Sequence, residues 1–144
     1  MNSRLSNAKP VSSDVYTREY FLKDRKGSIE FVNTGGHHLC SQHANALELG
    51  NIRRGQFVLD IGSGCGELVF HCALKGARAI GIDYAPAAIE LANEALVGFP
   101  VDVQERVQFL LESIRNQPAL FSFILPIHQT GDDKGVRILL KIIE

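Results

Sequence analysis

Between Gly55 and Leu111 the apolar residues fall into two alternating patterns. Gln56-Phe-Val-Leu-Asp-Ile61, Ala77–Ile82 and Val107-Gln-Phe-Leu-Leu111 are short, nearly continuous apolar runs, as expected of strands buried on both faces. Between the first two, Glu67–Lys75 places Leu68, Val69, Cys72 and Ala73 on one side of a helix that Gly76 stops. Between the second and third, Ile89, Ala92 and Leu96 repeat at helical spacing behind Pro86, a first-turn proline. Gly98 and Pro100 end that helix. Strand, helix, strand, helix, strand in this order predicts a parallel sheet with right-handed crossovers.

The flanks are less regular. Residues 1–13 are mostly Asn, Ser, Lys and Pro, the composition of a disordered terminus. Val15-Tyr-Thr-Arg-Glu-Tyr-Phe-Leu22 predicts a short helix with Val15, Phe21 and Leu22 on one face, interrupted afterwards by Gly27 and Asn33-Thr-Gly-Gly36. A further helix is predicted over His38–Leu49, with Leu39, Ala46, Leu47 and Leu49 buried and Gly50 beyond its end. Downstream, Ala119–Leu125 reads as a fourth strand, and Gly135–Ile143 as a fifth strand or a short helix. The organisation is a single domain over 14–144, made of a helical segment (14–54), a core (55–114) and an atypical last part (115–144).

Composition narrows the class. The 144 residues are 45% hydrophobic and 22% charged, which fits one soluble globular domain. A net charge of −1 supplies no long-range attraction to nucleic acid or anionic lipid. No apolar stretch is long enough for a secretory signal or a membrane span, so the expected location is cytoplasmic and no membrane partner is expected. The three cysteines, Cys40, Cys65 and Cys72, form no Cys-x-x-Cys pair; neither a disulfide framework nor a metal site is predicted.

The chemistry concentrates where the first strand ends in Asp60 and turns through Gly62-Ser-Gly-Cys-Gly66 into a helix. Such a turn brings backbone close to a ligand at the carboxyl edge of an open sheet. A dinucleotide fingerprint fails in either register, because Glu67 or Val69 stands where a glycine is required. A carboxylate in the first helical turn also opposes a pyrophosphate at the helix amino end. Acidic groups such as Asp60 and Glu67 suit a positively charged ligand instead, and Asp83, closing the second strand, is placed to accept hydrogen bonds from both hydroxyls of a ribose. A plain strand-to-helix turn is the competing reading of the glycines.

Val58-Leu-Asp-Ile-Gly-Ser-Gly-Cys-Gly-Glu67 resembles motif I of class I S-adenosylmethionine-dependent methyltransferases. Ala79-Ile-Gly-Ile-Asp-Tyr-Ala-Pro-Ala-Ala-Ile-Glu-Leu-Ala92 is similar to the segment that follows it in that family. The resemblance implies an α/β, Rossmann-like open and mainly parallel sheet with helices on both faces. About four or five strands are expected, without the family's final reversed strand pair, as in a chain truncated at its C-terminus. It implies S-adenosyl-L-methionine as cofactor, held by Asp60, Gly62, Ser63, Gly64, Gly66, Asp83 and Tyr84, with Glu112 and Ser113 near the adenine amine. Tyr84 has an alternative role as a packing residue. An amino-terminal aromatic segment folds over the cofactor in several such families, making Tyr16, Tyr20 and Phe21 candidate lid residues.

The expected function is methyl transfer from the sulfonium to an unidentified acceptor, a small molecule or glycan rather than nucleic acid. Two departures from the family pattern bear on it. Ser122 stands where an acid is usual at the fourth strand, and Leu125-Pro-Ile-His128 is not the Asn/Asp-Pro-Pro-aromatic signature of many amide- and base-methylating enzymes. The alternative is a catalytically inactive cofactor-binding or regulatory domain completed by a partner chain or by self-association through an uncovered sheet edge. If the reaction needs a base, His128 is the first candidate, followed by His37 or His38.

Overall fold

The three apolar runs of the core are strands, and they lie side by side. In the computed structural model, which describes residues 11–113 and 137–140, β1 (Phe57–Ile61), β2 (Arg78–Asp83), β3 (Val107–Leu111) and β4 (Arg137–Leu140) form one sheet in the order β3-β2-β1-β4. Every ladder is parallel, with Leu59 opposite Ile80, Gly81 opposite Phe109 and Asp60 opposite Leu139. The backbone thus settles the choice left open for residues 135–143 in favour of a strand over Arg137–Leu140. The fourth strand read over Ala119–Leu125 lies outside the described residues.

Parallel neighbours need a crossover. Helix α3 (Glu67–Leu74) joins β1 to β2; α4 (Pro86–Leu96) and the one-turn α5 (Val101–Gln104) join β2 to β3. Upstream lie a 3-10 turn (Ser13–Val15), a π-helical turn (Tyr20–Asp24), α1 (Ser28–Thr34) and α2 (Ser41–Leu49). The chain begins its sheet at β1, works outward to β3, and returns to the other side of β1 with β4. That reversal of direction makes β1 the switch point, the place where open α/β sheets bind ligands beyond the strands' carboxyl ends.

Several boundaries differ from the sequence pattern for identifiable reasons. Gly27, expected only to interrupt, takes φ +88° and opens α1, which Gly35 closes at φ +60°. Pro100, expected only to end the preceding helix, lies beyond the Val97 cap of α4 and is the N-cap of the next helix, α5. Helix α2 starts at Ser41 rather than His38, because the Cys40 sulfur accepts from the His43 N–H and caps it. Of the four α2-region positions expected to be buried, only Leu47 is; Ala46 is half-buried, while Leu39 and Leu49 are exposed and Ile52 fills the core beyond the helix. The short helix expected around 15–22 is replaced by the 3-10 and π turns, which bury Phe21, half-bury Leu22 and leave Val15 exposed.

Two apolar clusters hold these pieces. The larger joins Val58, Leu68, Val69, Cys72, Ala73 and Ala79 to an aromatic group centred on Phe70. Phe70 stacks on Phe99 at 4.4 Å and meets Phe109 edge-on at 5.6 Å. The smaller cluster, Phe21, Phe31, Cys65, Ala85, Ala88 and Leu91, docks the amino-terminal segment onto α4 and the turn after β1. Burial first, and then the nearby Asp60, pushes the Cys72 thiol up to about 12, so it packs as a small apolar side chain.

Phe70 is wholly buried, so Phe70→Ala should remove about 3–5 kcal/mol of unfolding free energy, measurable by urea denaturation. His71, whose Nε2 lies 3.1 Å from the His37 carbonyl oxygen, is held below its usual pKa by burial. The unfolded chain therefore binds a proton first as pH falls. Stability should be complete above about pH 6.5 and decline as pH drops from there toward the lower folded value. Thermal melts across this range should show the decline, and His71→Gln should flatten it.

Candidate functional site

Strands β1 and β2 end together at the carboxyl edge of the sheet, and each brings a carboxylate. Asp60, one residue from the end of β1, is fully buried, and Asp83, the last residue of β2, is 8% exposed. Between Asp60 and α3 the chain makes a turn that only glycines adopt readily: Gly62, Gly64 and Gly66 have φ of +75°, +56° and +87°. A Cβ on Gly66 would run into the rings of Phe109 and Phe70, whereas one on Gly64 would meet no atom within 4 Å. The turn is thus packed against the core at one end and open at its middle.

Hydrogen bonds tie this turn to β2. The N–H groups of Gly62 and Ser63 both donate to the Ile82 carbonyl, at 2.8 and 3.0 Å. Asp83 Oδ2 accepts from the Gly64 N–H at 2.8 Å, and Oδ1 accepts from the Ala85 N–H at 2.9 Å. Asp83 is therefore first a bracket for the loops after β1 and β2. Each of its oxygens keeps a second lone pair for a ligand. The Glu112 N–H donates to the Asp83 carbonyl at 2.9 Å, so Glu112 and Ser113 follow β3 beside the same edge, half-buried.

The structure accordingly gathers Asp60, Gly62, Ser63, Gly64, Gly66, Asp83, Tyr84, Glu112 and Ser113 onto the ends of three adjacent strands. These residues fit an adenosyl sulfonium cofactor on two observations. The open middle of the turn offers backbone instead of side chain at Gly64. The buried polar groups around it are carboxylates, plus the Ser63 hydroxyl, which has no hydrogen-bond partner.

The amino-terminal aromatic residues reach this region. Tyr16 meets Tyr84 edge-on at 5.7 Å and Tyr20 at 5.2 Å, and Tyr20 meets Phe21 at 5.1 Å. Tyr16, Tyr20 and Tyr84 are half-buried, while Phe21 is buried in the smaller core cluster and anchors the segment. Two ion pairs that no local sequence signal announces fasten the segment. Arg18 grips Glu94 of α4 through both carboxylate oxygens, at 2.8 and 2.7 Å, on the surface. Arg25 reaches Glu67, the first residue of α3, at 2.5 Å, with both side chains largely buried. Burial opposes the Arg25 charge, but the Glu67 carboxylate more than offsets this, and the guanidinium is held above its ordinary pKa. Glu67, read from the sequence as an acidic group beside the loop, is thus an ion-pair partner.

The ring of the candidate base His37 stacks on Phe99 at 3.9 Å, with Nδ1 2.9 Å from the Thr34 carbonyl oxygen. The His38 N–H donates to the Thr34 hydroxyl. His128 lies outside the described residues. Among the described residues no three His, Cys, Asp or Glu side chains are grouped to hold a metal ion, and no helix is long and apolar enough to cross a membrane.

The sequence profile of a methyltransferase domain family matches residues 58–134, a stretch that includes the glycine turn, Asp83 and the end of β3. No curated protein matches the chain. Among solved structures, an RNA methyltransferase from Salinibacter ruber with bound S-adenosyl-L-homocysteine is 26% identical, with a TM-score of 0.44 over 53% of this chain and 49% of that one. The C-terminal domain of precorrin-6Y C5,15-methyltransferase from Rhodobacter capsulatus is also 26% identical, with a TM-score of 0.48 over 56% of this chain and 41% of that one. A Geobacter sulfurreducens S-adenosylmethionine-dependent methyltransferase with bound S-adenosyl-L-homocysteine is 21% identical, with a TM-score of 0.47 over 71% of this chain and 36% of that one. The chain thus spans less than half the length of each of these structures. With the family profile covering more than half of its residues, the chain belongs to the class I, Rossmann-like methyltransferase domain family, whose cofactor is S-adenosyl-L-methionine.

Proposed function

We propose that this chain binds S-adenosyl-L-methionine at the carboxyl edge of β1, β2 and β3 and takes part in methyl transfer to a small-molecule or glycan acceptor in the cytoplasm. The observation that carries the reading is the Asp83 bracket. One carboxylate closes the glycine turn through Gly64 and remains able to accept further hydrogen bonds. The net charge of −1 supports an acceptor other than nucleic acid.

In this reading Asp83 holds the ribose hydroxyls, Tyr84 lies against the adenine, and Glu112 and Ser113 accept from its amine. Asp60 and the backbone of Gly62, Ser63, Gly64 and Gly66 border the methionine end. The cofactor, when bound, supplies an electrophilic methyl group on a sulfonium. The chain's own contribution is to hold that group in line with the acceptor, which accounts for much of the barrier reduction in such displacements. Tyr16 and Tyr20 exclude water from the nucleoside side, with Phe21 as their anchor. For an acceptor that must lose a proton, His128 is the first candidate base, from the sequence alone.

Titration calorimetry with S-adenosyl-L-homocysteine tests the site. The wild-type chain should bind in the micromolar range. Asp83→Asn, which keeps one acceptor for the turn but removes the charge, should bind roughly 10- to 150-fold more weakly, the equivalent of about 1.5–3 kcal/mol for a hydrogen bond to a charged group. Unchanged affinity in a variant with wild-type circular dichroism would remove Asp83 from the site.

A further inference from the structure

The buried pair Arg25–Glu67 is poorly built for stability. Its side chains are only 17% and 8% exposed, and Glu67 Oε2 is buried without a hydrogen-bond partner. Taking two charges out of water costs more than their attraction returns unless the remaining polar atoms are also satisfied, and apolar replacements of such pairs are commonly neutral or stabilising. The position of the pair is more informative. Glu67 directly follows Gly66, the last glycine of the turn, and opens α3. Arg25 directly follows the π-helical turn Tyr20–Asp24.

A single guanidinium therefore joins the two halves of the site. Arg25 Nε donates to the Phe21 carbonyl at 3.3 Å while its Nη2 donates to Glu67. Its backbone is fixed as well, because the Arg25 N–H donates to the Tyr20 carbonyl and the Arg25 carbonyl accepts from the Ser28 N–H. The guanidinium also lies 5.5 Å from the centre of the Phe31 ring. The π-helical turn supports a functional reason for this arrangement, since such turns insert an extra residue at a cost and occur frequently at functional sites.

We propose that Arg25 and Glu67 are a positioning pair that sets the aromatic segment carrying Tyr16 and Tyr20 against the glycine turn and thereby fixes cofactor affinity. This deepens the cofactor reading above and rests on it. Neither residue needs to touch the cofactor. Their contribution is register between two chain segments, the best-attested use of a buried ionic pair.

The chain has three tyrosines and no tryptophan, and Tyr16, Tyr20 and Tyr84 all lie in the aromatic group beside the turn. Intrinsic tyrosine emission therefore reports on this cluster alone. S-adenosyl-L-homocysteine should bind the wild-type chain and alter that emission. In the double variant Arg25→Met with Glu67→Leu, the unfolding midpoint should stay within a few degrees of wild type or rise. Its affinity for the same ligand should fall at least tenfold, and the ligand-induced emission change should be lost. Arg25→Lys, which keeps the charge without the fork that grips both partners, should fall between the two. A folded double variant with wild-type affinity and emission response overturns the proposal; if that variant does not fold, a wild-type response from Arg25→Lys does so. Absence of binding by the wild-type chain would instead overturn the cofactor reading itself, a distinguishable result.

Discussion

The bond from the Gly64 N–H to the Asp83 carboxylate is the constraint around which this half of the molecule is organised. The turn, with three glycines at positive φ, has one backbone hydrogen bond of its own, from the Gly66 N–H to the Ser63 carbonyl at 3.0 Å. Its other partners lie beside it, on β2: the Ile82 carbonyl for Gly62 and Ser63, and Asp83 for Gly64. The parallel register that puts Ile61 opposite Ile82 makes this possible, because it ends the two strands at the same level. A shift of one residue would turn Asp83 to the other side of the sheet.

Packing behind the turn obeys the same constraint. Gly81 lies opposite Phe109 in the β2–β3 ladder, and a Cβ there would press on that ring and on the Ser63 hydroxyl. Gly66 yields space to the same ring from the other direction. Phe109 thus touches both the turn and its supporting strand, and through Phe70 it reaches Phe99 and His37. The buried acidic groups Asp60, Glu67 and Asp83 surround the turn with one guanidinium, Arg25, among them.

Much of the fold was legible because it is written at short range. Val58, Leu68, Val69, Cys72 and Ala92 are buried as their spacing predicts, and Pro86 and Gly66 mark helix starts that local backbone chemistry dictates. The glycine turn and Asp83 were legible for the same reason: their residue types are forced by dihedral angles and by the strand ends they occupy. Less local features were not. Gly27 and Pro100 signal breaks, but a break and a helix cap look alike until the next turn is seen to pack, so α1 and α5 escaped notice. Leu49 satisfies a helical pattern yet projects into solvent, because Ile52, beyond the helix, occupies the core. The pairing of Arg25 with Glu67 joins distant parts of the chain, and nothing near either residue points to the other.

Strand β1 acquires its two neighbours over very different lengths of chain: Phe57 faces Arg78 on one side, and Val58 faces Arg137 on the other. Closing a loop about four times longer costs on the order of 1 kcal/mol more in chain entropy, and contacts between residues far apart in sequence slow folding. The β1-α3-β2 unit, with its acid and its glycine bend, is thus held by pairing that is local in sequence, whereas the β1–β4 ladder joins distant parts of the chain. Local pairing and the candidate site therefore coincide: the strand ends that carry Asp60 and Asp83 belong to the ladder with the shorter closure.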